Sequence, residues 1–142
     1  MSGPRLLDLL QVRGISPHEL EAIRNEASHA GRHVVEVMQE RSGLESDDLT
    51  QLLGHAFHYP VIDLPAMQAC IAAFDLLPFG EALQRQCVPL RREHETLLVF
   101  SDPFDVDLLA WGEARMPAAF AWTLAAKADL SVYLSRHEEQ VQ

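Results

Sequence analysis

Two copies of one short helical hairpin fill nearly the whole of the first sixty residues, and that duplication restricts the fold more than any other feature of the chain. The first runs from Arg5 as RLLDLLQVRGISPHELEAIRNEA and the second from Arg32 as RHVVEVMQERSGLESDDLTQLLGHA. Arg5 and Leu10 map onto Arg32 and Val37 at an offset of 27 residues, and Gly14 and Leu20 onto Gly43 and Leu49 at an offset of 29. The second copy thus carries two extra residues at its turn, after which the apolar phase resumes. A unit this short leaves its apolar face exposed when alone, so the copies must pack on each other or on a ligand. The pattern is that of a binding module and not of a reaction centre.

Each hairpin is punctuated by residues with a physical reason to be there. Leu6, Leu7, Leu9 and Leu10 give the apolar density of a short buried helix, and Gly14 stands where a C-cap needs a left-handed backbone. Ser16-Pro17 restarts the chain as N-cap and first helical residue, with Glu19 in the first turn, and predicts a helix from Pro17 to about His29. After Ala30-Gly31 a third helix carries Val34, Val37 and Met38. Ser46-Asp47-Asp48 is expected to cap a fourth, with Leu49, Leu52, Leu53 and Ala56 facing inward. Helices this short draw their stability from mutual packing.

The texture changes after His58-Tyr59-Pro60. Val61–Leu64 is a brief extended run, and 67–85 reads as mostly helical, broken near Leu77-Pro78. Cys87–Leu90 and Thr96–Phe100 are strand-like and joined across the charged tip Arg91–Glu95, which predicts a hairpin. Ser101–Asp105 is expected to cap a helix through about Glu113, with Asp102 as the cap and Pro103 as its first residue. A third strand candidate lies in 117–126, and a last helix in 128–136. The reading is an α+β chain: a helical-hairpin repeat subdomain of four helices over 1–58, then a small α+β subdomain over 59–142 with a mostly antiparallel three-stranded sheet.

Composition narrows the partners. A formal charge of −10 opposes general affinity for nucleic acid or anionic lipid, since phosphate contacts need a cationic field. Two cysteines in apolar surroundings, Cys70 and Cys87, form neither a disulfide framework nor a CxxC pair, so a reducing cytosol is the natural setting. Asp8 arrives too early for a signal peptide, and no apolar run reaches the length of a membrane span. A soluble, cytoplasmic protein without direct membrane insertion is expected.

Reaction chemistry is hard to place. The sequence contains no GxxxxGK[ST], GxSxG, HExxH or GxGxxG, so no P-loop cradles a triphosphate. His29 and His33 are separated by Gly31, and His55 and His58 lack a third ligand at metal spacing, so no metal site is expected. Trp111 and Trp122 read as core residues. Ligand chemistry, if any, belongs to the repeat. Arg5 and Arg32 open the two copies at helix starts and can grip phosphate oxygens, or they are two ordinary surface arginines.

The run R-L-L-x-L-L-x-x-x-G-I-S-P-x-x-L, its second copy from Arg32, the link Y-P-V-I-D-L and the later V-P-L-R-R…L-L-V-F-S-D-P-F-D together resemble one family across nearly the whole chain. It is the N-terminal, MshEN-type domain of type II secretion and type IV pilus assembly ATPases. The resemblance implies a non-catalytic cytoplasmic domain placed ahead of a motor ATPase, which it docks on the cytoplasmic part of an inner-membrane platform protein. No cofactor is implied for such a docking domain. Some members, however, bind cyclic di-GMP through the two repeats, with a motif that opens Arg-Leu-Gly and ends in Gln. On that motif the candidate nucleotide- or anion-binding residues are Arg5, Leu6, Leu10 and Gly14 of the first copy and Arg32 of the second. Leu7 and Val34 stand at the Gly positions, and Ala27 and Ala56 at the glutamines. Losing those hydrogen-bond partners favours docking as the function, with a cyclic di-GMP sensor as the alternative.

Overall fold

A computed structural model describes residues 17–117 and 119–140. The chain divides into two compact units, Met1–Tyr59 and Pro60–Gln142. The helix expected over the first Leu-rich run lies outside the described residues.

In the first unit, helices α1 (Pro17–Ala30), α2 (Val34–Ser42) and α3 (Ser46–Phe57) follow one another through short turns. Ile23 and Ala27 of α1, Val37 and Met38 of α2, and Leu49 and Leu53 of α3 are buried, as the apolar spacing predicts, whereas Val34, Leu52 and Ala56 are half-buried. Gly31 and Gly43 adopt φ of 66° and 69°, ending α1 and α2 in the left-handed conformation. The Arg32 backbone N–H returns to the Ala27 carbonyl at 2.8 Å, closing α1 with a Schellman bond. The expected cap at Ser46 is displaced by one residue: Glu45 is the N-cap of α3, without a side-chain bond, and Ser46 is its first helical residue.

The second unit is built on a sheet of four strands, in the order β1 (Ile71–Ala72), β2 (Val88–Arg92), β3 (Glu95–Phe100), β4 (Ala121–Leu124). The three-stranded expectation is thereby corrected. The additional strand, β1, sits inside the stretch read as mostly helical, which splits into α4 (Leu64–Ala69), β1 and α5 (Phe79–Arg85). β1–β2 and β2–β3 are antiparallel, whereas β4 runs parallel to β3, reached through α6 (Val106–Arg115). The sheet is thus mostly antiparallel, as expected, with one parallel pair. A helix, α7 (Lys127–Gln140), completes the described chain and extends beyond its predicted end.

Both faces of the sheet are covered, which explains why Leu97–Phe100 reads as one continuous apolar run. Val88, Leu90, Leu97 and Val99 point to one face and meet Met67 of α4 and Leu130 and Leu134 of α7. Leu98 points to the other, where α6 brings Gly112 against Leu98 and Trp122. Residues 60–62 close the outer side of β4, with Leu124 N–H on the Pro60 carbonyl at 2.8 Å and Ile62 N–H on the Leu124 carbonyl at 2.9 Å.

Candidate functional site in the second repeat

Arg5, Leu6, Leu10 and Gly14 lie outside the described residues, so Arg32 is the candidate that can be placed. It stands between two helix-terminal devices: its own N–H closes α1, and the next residue, His33, is the N-cap of α2. His33 makes no side-chain cap bond, although its φ of −74° and ψ of 141° are the extended values of an N-cap.

The guanidinium turns toward two carboxylates of α2, the helix that follows it. Arg32 Nη1 donates to Glu40 Oε2 at 3.0 Å and Nη2 donates to Glu40 Oε1, a bidentate pair, and Glu36 Oε2 lies 3.8 Å from Nε. Hydrogen bonding to Arg32 holds the Glu40 carboxyl below its ordinary range, and the same bond raises Arg32. These groups border an open cleft of about 480 Å³ that also includes Gln39, Gly43, Leu44 and Glu45. Among the described residues, one guanidinium thus shares the cleft with Glu36, Glu40 and Glu45. An incoming dianion would have to displace Glu40 and tolerate the other two carboxylates, so this part of the cleft is poorly matched to phosphate.

Arg41, four residues before Glu45, is also taken: its Nε donates to Glu26 Oε2 at 3.0 Å, tying α2 to α1. The positions matched to the family's glutamines are apolar contacts, Ala27 being buried and Ala56 half-buried. Val34, where the motif has Gly, is half-buried as well. Glu36 and Glu40 share one face of α2 at i and i+4, and Arg32, just ahead of the helix, continues that spacing, which is the sequence signal for the cleft.

The aspartates of SDPFD serve the backbone. Asp102 Oδ1 accepts from the Phe104 N–H at 3.0 Å in a local turn, and Asp105 Oδ1 accepts from the Leu108 N–H at 3.0 Å as the N-cap of α6. The helix thus begins at Val106, one turn later than Pro103, the start expected from the sequence. Trp111 and Trp122, both expected in the core, are half-buried; the Trp122 ring packs on Phe100 and Phe120, and its Nε1–H donates to Glu113 Oε1 at 2.8 Å.

The family model for the MshEN domain matches residues 57–142. The chain belongs to the MshEN family. Among solved structures, this MshEN chain is similar to that of MshE with cyclic di-GMP, at 26% identity over 94% of this chain and 98% of that one, with a TM-score of 0.70. It is similar also to the N-terminal domain of XpsE, at 16% identity over 96% and 98%, with a TM-score of 0.68. A second crystal form of the XpsE domain gives 15% identity and a TM-score of 0.58, over 91% and 90%. No curated protein matches the chain. The mixed helical and sheet architecture is that of the MshE and XpsE N-terminal domains.

Proposed function

We propose that this MshEN domain is a non-catalytic docking module that links a secretion or pilus motor ATPase to the cytoplasmic part of an inner-membrane platform protein. The observation that carries the reading is the family match over 57–142, joined to a fold likeness that spans the N-terminal domain of XpsE almost end to end. The acidic lining of the Arg32 cleft supports it, because it leaves the second repeat as packed scaffold and not as an anion receptor. In this reading the domain is cytoplasmic and reaches the membrane through its partner; no described helix is long and apolar enough to cross a bilayer. The test is direct binding of the purified domain to the soluble cytoplasmic segments of platform proteins from the same genome. Saturable micromolar binding to one of them supports docking, and absence of binding to all of them overturns it.

Cyclic di-GMP is the second reading, favoured by the MshE structure that contains it. Calorimetry decides it. Heat at micromolar ligand, abolished by Arg5→Ala and Arg32→Ala, would establish a sensor, while silence at tens of micromolar would remove that role.

A further inference from the structure

A second cleft, in the sheet-containing unit, carries the chemistry that the Arg32 cleft lacks. It lies where α4 packs on α7, occupies about 300 Å³, and is lined by Gln68, Tyr133, Arg136 and His137. Tyr133, Arg136 and His137 share one face of α7 at i, i+3 and i+4, so the helix itself brings them together. All four can donate a hydrogen bond, His137 through whichever ring nitrogen is protonated, and no carboxylate lines the cleft among the described residues.

The charge pattern around it is unusual for this chain. Arg32, Arg41, Arg91, Arg92 and Arg115 each face a carboxylate within 4 Å, and Arg85 lies over the Trp111 ring at 4.9 Å. Arg136, exposed at the mouth of the cleft, has no such partner among the described residues. Among the described residues of a chain of net charge −10, such a guanidinium is the exception.

The walls are held in place before any ligand arrives. His137 packs against both Phe74 and Phe79, with ring centroids 4.5 and 4.9 Å away, and the two phenyl rings themselves meet edge-on at 5.3 Å. Tyr133 packs on the core formed with Leu90, Leu97 and Leu134, and burial raises its phenol so that it stays a neutral O–H donor at neutral pH. Donors fixed in this way lose little side-chain freedom on binding.

We infer that the cleft between α4 and α7 binds the phosphate group of a small ligand, with Arg136 as its charged anchor and Gln68, Tyr133 and His137 as orienting donors. Phosphate is favoured over carboxylate because a phosphate monoester offers three terminal acceptor oxygens and a larger negative charge to four donor side chains, against a carboxylate's two oxygens. The phosphate could be carried by a soluble nucleotide or by a lipid headgroup, and the experiment separates the two. The inference is independent of the docking function, and its test uses no platform protein.

The intact 142-residue chain, labelled with nitrogen-15, is titrated with inorganic phosphate against a matched chloride series. The expected result is saturable shifts confined to Gln68, Tyr133, Arg136 and His137 and their neighbours, with affinity at least about tenfold weaker in Arg136→Gln. Arg41→Gln, which removes a guanidinium from the other unit, should leave that affinity unchanged. Competition by guanosine monophosphate assigns a soluble ligand, and competition by vesicles containing phosphatidic acid, whose headgroup is a terminal phosphate, assigns a headgroup. The inference is overturned by absent or non-saturating shifts, by equal affinity in Arg136→Gln, by acetate binding as tightly as phosphate, or by failure of both competitors. Arg136 is exposed, so its replacement is not expected to unfold the protein, and an unchanged melting temperature verifies that.

Discussion

Where α6 crosses the sheet, Gly112 leaves room for nothing larger than hydrogen. A Cβ there would run into the Trp122 indole, Cζ2 at 2.6 Å, and would press on Leu98 Cδ2 at 3.2 Å. The indole cannot simply swing away, because its Nε1–H is held by Glu113 and its ring is edge-on to Phe100 at 4.9 Å. Alanine at this position gains up to about 1 kcal/mol of helix propensity but meets an overpacking cost of about 1–3 kcal/mol. Gly112→Ala should therefore lose about 1 kcal/mol in urea unfolding followed by tryptophan fluorescence. A variant as stable as the parent would mean that the indole yields freely. Cys87 has a different sensitivity. Burial pushes its thiol up to about 12 from an unfolded value near 9, so the folded state binds the proton more tightly. That contribution is complete below about pH 9 and is lost as pH rises toward 12, with a slope of at most about 1.4 kcal/mol per pH unit. Cys87→Ala should flatten this alkaline decline; an unchanged slope would assign the decline to other groups.

Among the helices, two end in the left-handed conformation without glycine. His58 closes α3 at φ 61°, with the Tyr59 N–H on the Gly54 carbonyl at 2.9 Å, and Gln86 closes α5 at φ 55°, with the Cys87 N–H on the Ala82 carbonyl at 3.1 Å. A residue with a Cβ is strained there, so His58→Gly should stabilise by about 0.5–1 kcal/mol after its greater unfolded-state entropy is counted. Thermal unfolding reads this directly, and a lower melting temperature would refute it. With no glycine at these caps, the sequence marks the two ends by other means, the change of texture after His58 and the strand-like run from Cys87. Other elements were legible for good reason: Pro17 begins α1, and the polar tip between Leu90 and Thr96 does join two strands. β1 was hidden because Ile71 and Ala72 are only two residues long and become a strand by pairing with Arg91 and Leu90. Asp102 and Asp105 offer two caps three residues apart, and local spacing alone does not tell which one the chain uses. Strand direction is likewise absent from an apolar pattern, so the parallel β4 could not be read from residues 117–126. In the repeat, the motif positions identified Arg32 but said nothing of Glu40, whose grip on it lies eight residues away. The cleft on α7 escaped because its helix was read as ending at Arg136, which leaves out His137.

At the scale of the whole molecule, the sheet unit contains its own core, its own edge closure by residues 60–62 and helices on both faces. Residues 60–142 produced alone should therefore unfold cooperatively in urea, with both tryptophans as reporters. A broad, non-cooperative transition would show that the unit depends on the helical repeats. The parallel pairing of β3 with β4 also sets an order of events. β2 and β3 meet across a two-residue tip, whereas β4 finds β3 only after α6 has been threaded between them. Closing the longer loop is entropically dearer, so the hairpin should belong to the folding nucleus and β4 should dock after the barrier. In stopped-flow kinetics Leu98→Ala should then slow folding, while truncation at the buried Thr123 should chiefly speed unfolding. The opposite pattern would place the crossover first. A chain being synthesised from its N-terminus would meet this order naturally, since the hairpin emerges while its last strand is still unmade.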